Sequence, residues 1–195
     1  MPSSRRFAVV ALAVLALAVG PAGAAASAGS CAPSSTSKPF RPWLDVADYV
    51  PAPGGDLEAA GSWTLEGGAA VVNGNEPFHV GADSDTASLN LPAGGSAATA
   101  PMCVGLEHPT LRFFAKRESA STLGLLRVDA VVGDLALPIG DVAANRSWAP
   151  TPPLAIALNT LALAGGSTEV TFRFTPLGGS EWSVDDVYVD PYRTN

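Results

Sequence analysis

Hydrophobic and polar positions alternate with a period of two along much of this chain. The clearest run is 169–175, where Val170, Phe172 and Phe174 share one side and Thr171, Arg173 and Thr175 the other. Side chains project to opposite faces of a strand in turn, so this pattern predicts a half-buried β-strand. Residues 110–116 and 123–132 read the same way, the second through Leu123, Leu125, Val128, Ala130 and Val132 with an irregularity near Leu126. Shorter strand candidates at 56–58, 61–65, 67–72, 78–80, 87–91, 99–104 and 135–139 are punctuated by glycine and polar turns. The proline-rich stretch 148–153 predicts a rigid connection that cannot continue a central strand. Residues 154–163 are apolar, strand-like at first and then compatible with a helical turn. With 20 Gly, 17 Pro and no long helical period past residue 30, the pattern predicts an antiparallel β-sandwich.

The last stretch, 182–190, breaks its own alternation. Trp182 and Val184 have one parity, Val187 and Val189 the other, and the change falls on Asp185 and Asp186. A β-bulge there would return both apolar pairs to the core and re-aim one carboxylate. A strand buried on both faces is the alternative, with one aspartate facing inward. An inward carboxylate needs hydrogen-bond donors, an arginine or a cation.

The N-terminus changes the setting of this sandwich. Arg5 and Arg6 precede an apolar run over 7–19 and a zone of small residues over 20–30. That order is the secretory signal peptide's, with Ala24-Ala25-Ala26 as the cleavage motif, and it is too short to span a bilayer. The expected organisation is therefore a signal peptide at 1–26, an extended arm at 27–50 and a β-sandwich domain at 51–195, in a secreted, extracellular protein. Phe40, Trp43 and Tyr49 are aromatic anchors for the arm. Outside the cell the two cysteines, Cys31 and Cys103, are expected to form a disulfide. Closing so long a loop contributes roughly 4 kcal/mol in the chain-entropy model. Eleven Lys and Arg stand against 18 Asp and Glu, a formal net charge of −7 that grows more negative when Arg5 and Arg6 are removed. That balance argues against nucleic acid or an anionic membrane as partner, and no other stretch could span a membrane.

Candidate chemistry is sparse. The chain has no G-x-S-x-G, H-E-x-x-H or P-loop motif, and His79 and His108 stand apart. Glu58, Glu66, Glu76 and Glu107 offer carboxylates for glycoside hydrolysis, as any acidic sandwich would. Sugar binding needs aromatic faces flanked by polar groups. Trp63 and Trp182 fall in strand patterns and are assigned to the core, whereas Trp43 and Trp148 lie in proline-bounded loops and are the binding candidates. Arg112 and Arg173 fall on polar strand faces and predict a solvated or salt-bridged surface.

Gly54-Gly55-Asp56-Leu57-Glu58, then Trp63 and Gly67-Gly68-Ala69, resembles the opening of galactose-binding-like jelly rolls, which include many carbohydrate-binding modules. Val184-Asp185-Asp186-Val187 is similar to their closing strand, although Pro53-Gly54-Gly55 stands here where Asn-Gly is usual. The resemblance implies an antiparallel jelly-roll β-sandwich and one cofactor, a structural calcium shared by Glu58 with Asp186 or Asp185. Segments 40–43, 74–76, 102–106, 108–116 and 172–176, with the closing strand, also resemble a family of secreted proteins from high-GC bacteria. That implies fold and export but no substrate. Taken together, the sequence predicts a secreted, non-catalytic module for a glycan or cell-envelope surface. A structural or protein-interaction domain is the alternative, and a glycan-active hydrolase comes third.

Overall fold

A computed structural model describes residues 35–105, 108–119, 124–143, 146–156 and 168–190. The expected signal peptide, Cys31 and the helical turn after residue 156 lie outside them. Among the described residues, thirteen strands form two antiparallel sheets. They are β1 (Val50–Pro51), β2 (Thr64–Glu66), β3 (Ala70–Asn73), β4 (Ala87–Leu91), β5 (Ser96–Ala98), β6 (Met102–Val104) and β7 (Thr110–Arg117). They continue with β8 (Leu125–Val132), β9 (Leu135–Val142), β10 (Ala149–Pro150), β11 (Leu154–Ala155), β12 (Thr168–Leu177) and β13 (Trp182–Val189). One sheet of seven strands runs β10-β7-β13-β4-β3, with β1 beside β13 and β11 beside β7. The other, of six, runs β2-β5-β12-β8-β9, with β6 beside β12. The fold is the all-β jelly-roll sandwich that the pattern and the resemblance predict.

The core between the sheets is filled by the inward parity of each strand. β12 contributes Val170, Phe172 and Phe174, as its alternation predicts, and β7 contributes Leu111, Phe113 and Ala115. Trp63 stacks on Phe174 at 5.6 Å between centroids, and Phe113 meets the same ring edge-on at 5.1 Å. Trp182 is fully buried. On β8 the inward set is Leu126, Val128 and Ala130, so the break near Leu126 marks where Leu125 turns out of the core.

β13 is buried along its whole length and also carries a bulge. Its register against β7 shifts between Asp185 and Tyr188, and Trp182, Val184, Val187 and Val189 all reach the core. The two sequence readings are therefore both true. The bulge keeps the valines inward, and the far side of the strand is covered by other chain. That cover is the arm, which doubles back rather than extending: Ser37 and Tyr49 exchange backbone hydrogen bonds of 2.9 and 2.8 Å around a 3-10 turn at Arg41–Trp43.

Two strand expectations fail. Residues 56–58 form turns, because Leu57 adopts a left-handed backbone (φ 59°) that drops its side chain into the core. Residues 78–80 form a loop with His79 at φ 48°, folded around a carboxylate.

Candidate functional site

The outer side of the seven-stranded sheet gathers the residues that carry chemistry. Asp185 and Asp186 sit at the bulge, 0% and 2% exposed. Asp186 takes a left-handed backbone (φ 50°), which aspartate tolerates better than a branched residue would. Asp185 holds the bulge together: its oxygens accept the N–H of Glu76 and that of Asp186, both at 2.9 Å. Glu76, also fully buried, accepts from the N–H groups of Phe78 and Val80, the latter at 2.8 Å. Asp85 accepts from Ala82 N–H at 2.7 Å, and the Tyr188 hydroxyl donates to Asp186 Oδ1 at 3.4 Å. Asp186 Oδ2 is buried without a partner.

Burial and neighbouring charge raise the proton affinity of Asp185, Asp186 and Tyr188. Burial pushes Asp185 up to about 8, and the neighbouring Asp186 and Glu76 charges add to it. Asp186 is raised by burial, then by the charge and contact of Glu76 and the charge of Asp85. Tyr188 is raised by burial and by Asp186.

Glu58, expected beside the two aspartates, is engaged elsewhere. It accepts from Thr86 N–H at 2.6 Å and Ala87 N–H at 2.7 Å, and the Thr86 bond chiefly holds its carboxyl below the usual range. The turn that carries it does meet the closing strand, through Val187 N–H to the Gly55 carbonyl at 3.0 Å. Among the described residues no group of three or more His, Cys, Asp or Glu side chains is placed to hold a metal ion.

A second cluster lies beneath the arm. Phe40, Tyr49, Phe114 and Tyr188 are buried together, with Trp43, Val80 and Trp148 packed against them. Trp43 and Phe78 meet edge-on at 4.8 Å, and each contacts Phe114. Phe78 keeps 44% of its surface exposed, and both sequence-chosen tryptophans are partly buried. Lys116 stands 5.2 Å from the Trp148 ring centre and 2.8 Å from Glu118. Arg112 is not solvated: its guanidinium lies 4.4 Å over Phe40, donates to the Thr151 carbonyl at 2.7 Å and pairs with Asp45. Burial alone would raise Asp45, but Tyr49, the Ala47 N–H and Arg112 outweigh it and hold the carboxyl below its usual range. Arg173 matches its expectation, paired at 3.1 Å with Asp129.

The two clusters are one construction. Glu76 shapes the loop that presents Phe78, and Phe78 completes the ring surface around Trp43. The sequence singles out Trp43 and Trp148 as binding candidates but not Phe78, which falls in the strand candidate at 78–80. No described cysteine is free, although Cys31, one end of the expected disulfide, is outside the described residues. No described helix is long and apolar enough to cross a membrane.

Known structures are similar to this chain at low identity. The CBM22-1 xylan-binding domain of Paenibacillus barcinonensis Xyn10C is 11% identical, with a TM-score of 0.51 over 76% of this chain and 97% of that one. A xylan-binding domain from CBM 22 is 14% identical, with a TM-score of 0.46 over 77% and 99%. The C-terminal family 22 carbohydrate binding module of Clostridium thermocellum Xyn10B is 14% identical, with a TM-score of 0.46 over 72% and 93%. The likeness to the first of these is one of fold. No family model and no curated protein matches the chain.

Proposed function

We propose that this chain is an exported, non-catalytic module that holds a glycan or cell-envelope polysaccharide against the outer side of its seven-stranded sheet. The observation that carries the reading is the ring surface of Trp43, Phe78 and Trp148, seated on buried Phe114. Partly exposed aromatic faces with polar groups at their rim suit the C–H faces of sugars. Lys116 beside Trp148, and Asn75 beside the Phe78 loop, supply that rim. The fold shared with a xylan-binding domain supports the same class of ligand. The expected disulfide from Cys31 to Cys103 would fasten the arm that covers this face.

A protein-interaction role is the second reading, favoured by Leu44 and Val46 on the arm, 92% and 67% exposed. Hydrolysis stands third, because the carboxylates that gather here are buried and bound to main-chain N–H groups rather than facing each other across a cleft. Titrating the protein with a panel of soluble polysaccharides while following tryptophan fluorescence tests the leading reading. A saturable change that weakens in Phe78→Ala and Trp148→Ala supports it. A flat response to the whole panel would favour the protein-interaction role.

A further inference from the structure

We propose that the glycan held at the ring surface is an acidic one, a polysaccharide whose sugars carry carboxylates, and that Arg41, Lys116 and Arg146 recognise its charge. This rests on the glycan reading and narrows it. The sequence sets an arginine two residues before each tryptophan of the ring surface, as Arg41-Pro42-Trp43 and Arg146-Ser147-Trp148. Both arginines are exposed, whereas both tryptophans are half-buried. Arg41 opens the 3-10 turn that Trp43 ends, its carbonyl accepting the Leu44 N–H at 3.0 Å. Arg146 stands in the bend before β10. There Ala149 lies opposite Ala115 of β7, which brings Trp148 beside Lys116, whose Nζ is 5.2 Å from the ring centre.

The chain as a whole is acidic, with a formal net charge of −7, but the rim of these rings is not. On the arm, Asp45 is taken by Arg112 and Asp48 by Lys38. At Trp148, Lys116 and Arg146 share a single acid. Burial alone would raise Glu118, but Lys116, Ser183 and the Arg146 charge hold its carboxyl below the usual range. Among the described residues no carboxylate forms an ion pair with Arg41 or Arg146. Glu76, behind Phe78, is fully buried and accepts main-chain N–H groups. Asp56 and Asp85 line a different cleft, with Ser37, Pro51 and Tyr188, and none of the three rings belongs to it. Positive charge therefore exceeds negative charge around the rings. A uronic acid answers both features on one sugar, with a C–H face for the ring and a planar carboxylate for the forked guanidinium donors. A phosphate-linked polyol would offer the charge without the sugar face.

The test is titration of the full chain with polygalacturonate and with glucuronoxylan, followed by tryptophan fluorescence at low and at high salt. Each is set against its neutral counterpart, methyl-esterified pectin and unsubstituted xylan. The charged member of at least one pair should bind about tenfold more tightly at low salt, and the gap should close at high salt, where exposed charges are screened. Arg41→Gln and Arg146→Gln, both at exposed positions, should each cut that preference about threefold, the scale of one exposed ion pair. Arg127→Gln, on the outer face of the other sheet, removes the same charge and should leave the preference as it is. Three results overturn the inference while the glycan reading stands: binding confined to neutral polymers, equal binding of charged and neutral members, or a preference that Arg127→Gln lowers as much as the other two do. Silence from every polymer overturns both.

Discussion

The outer faces of the two sheets differ in nearly every respect. On the six-stranded sheet, Arg127 pairs with Asp141 at 3.0 Å and Arg173 with Asp129 at 3.1 Å, beside Thr171 and Thr175, and β12 keeps a clean inward-outward alternation. On the seven-stranded sheet, β7 is buried on both faces over 111–115 and β13 over its full length. Arm and loop lie on top of them, held by rings, a cation–π contact and carboxylates that accept main-chain N–H groups. A solvated face leaves its side chains replaceable. A covered face makes each depend on a distant segment, and that is where this chain concentrates its aromatic and acidic residues.

The difference can be broken most strongly at Phe40. This ring is fully buried between Tyr49, Phe114 and Tyr188 and lies under the Arg112 guanidinium. Phe40→Ala should destabilise the domain by about 3–5 kcal/mol in urea unfolding, the usual range for a large ring lost from a packed site. A loss below about 1 kcal/mol would mean that the arm is not part of the folded unit. At the bulge, Asp185→Ala leaves the buried N–H groups of Glu76 and Asp186 without an acceptor. The expected loss is about 2 kcal/mol, partly offset by relief of the crowded carboxylates, and Asp185→Asn should recover some of it. Equal losses in the two variants would show that acceptance of these N–H groups is not what Asp185 does. The smallest effect belongs to the other face: Arg127→Met, which removes the exposed pair with Asp141, should change stability by no more than about 0.5 kcal/mol, the ordinary value of such a pair. A larger loss there would erase the contrast between the faces.

How far the sequence could be read follows the same division. The strand 168–177 was legible because one face meets water, so Val170, Phe172 and Phe174 stand out against Thr171 and Arg173. The bulge was legible too, since a slip of one residue reverses every side chain after it and the valines after Asp186 recorded the slip. Arg112 is salt-bridged, one of the two states expected of it, but under cover rather than at a surface. Its strand alternates like a half-exposed one, yet the arm covers it through Asp45 and Phe40, partners far away in the chain. Residues 78–80 carry strand-forming types, but two of their N–H groups are taken by Glu76 rather than by a neighbouring strand. Glu76 and Asp85 had no local signal at all. What gathers them around Asp186 is the path of a loop, and nothing in the spacing of their neighbours encodes it. Trp148 lies in a loop as expected, whereas Trp43 ends a 3-10 turn, and both pack against the second cluster rather than standing fully exposed.

The central claim is that the covered sheet, and not the open one, is the binding face. Affinity electrophoresis in gels containing soluble xylan or other polysaccharides tests it directly, with four proteins run side by side: wild type, Phe78→Ala, Trp148→Ala and Arg173→Met. The account predicts that at least one polysaccharide retards the wild type and Arg173→Met equally, while Phe78→Ala and Trp148→Ala migrate as they do without it. Retardation kept in both aromatic variants and lost in Arg173→Met would contradict it.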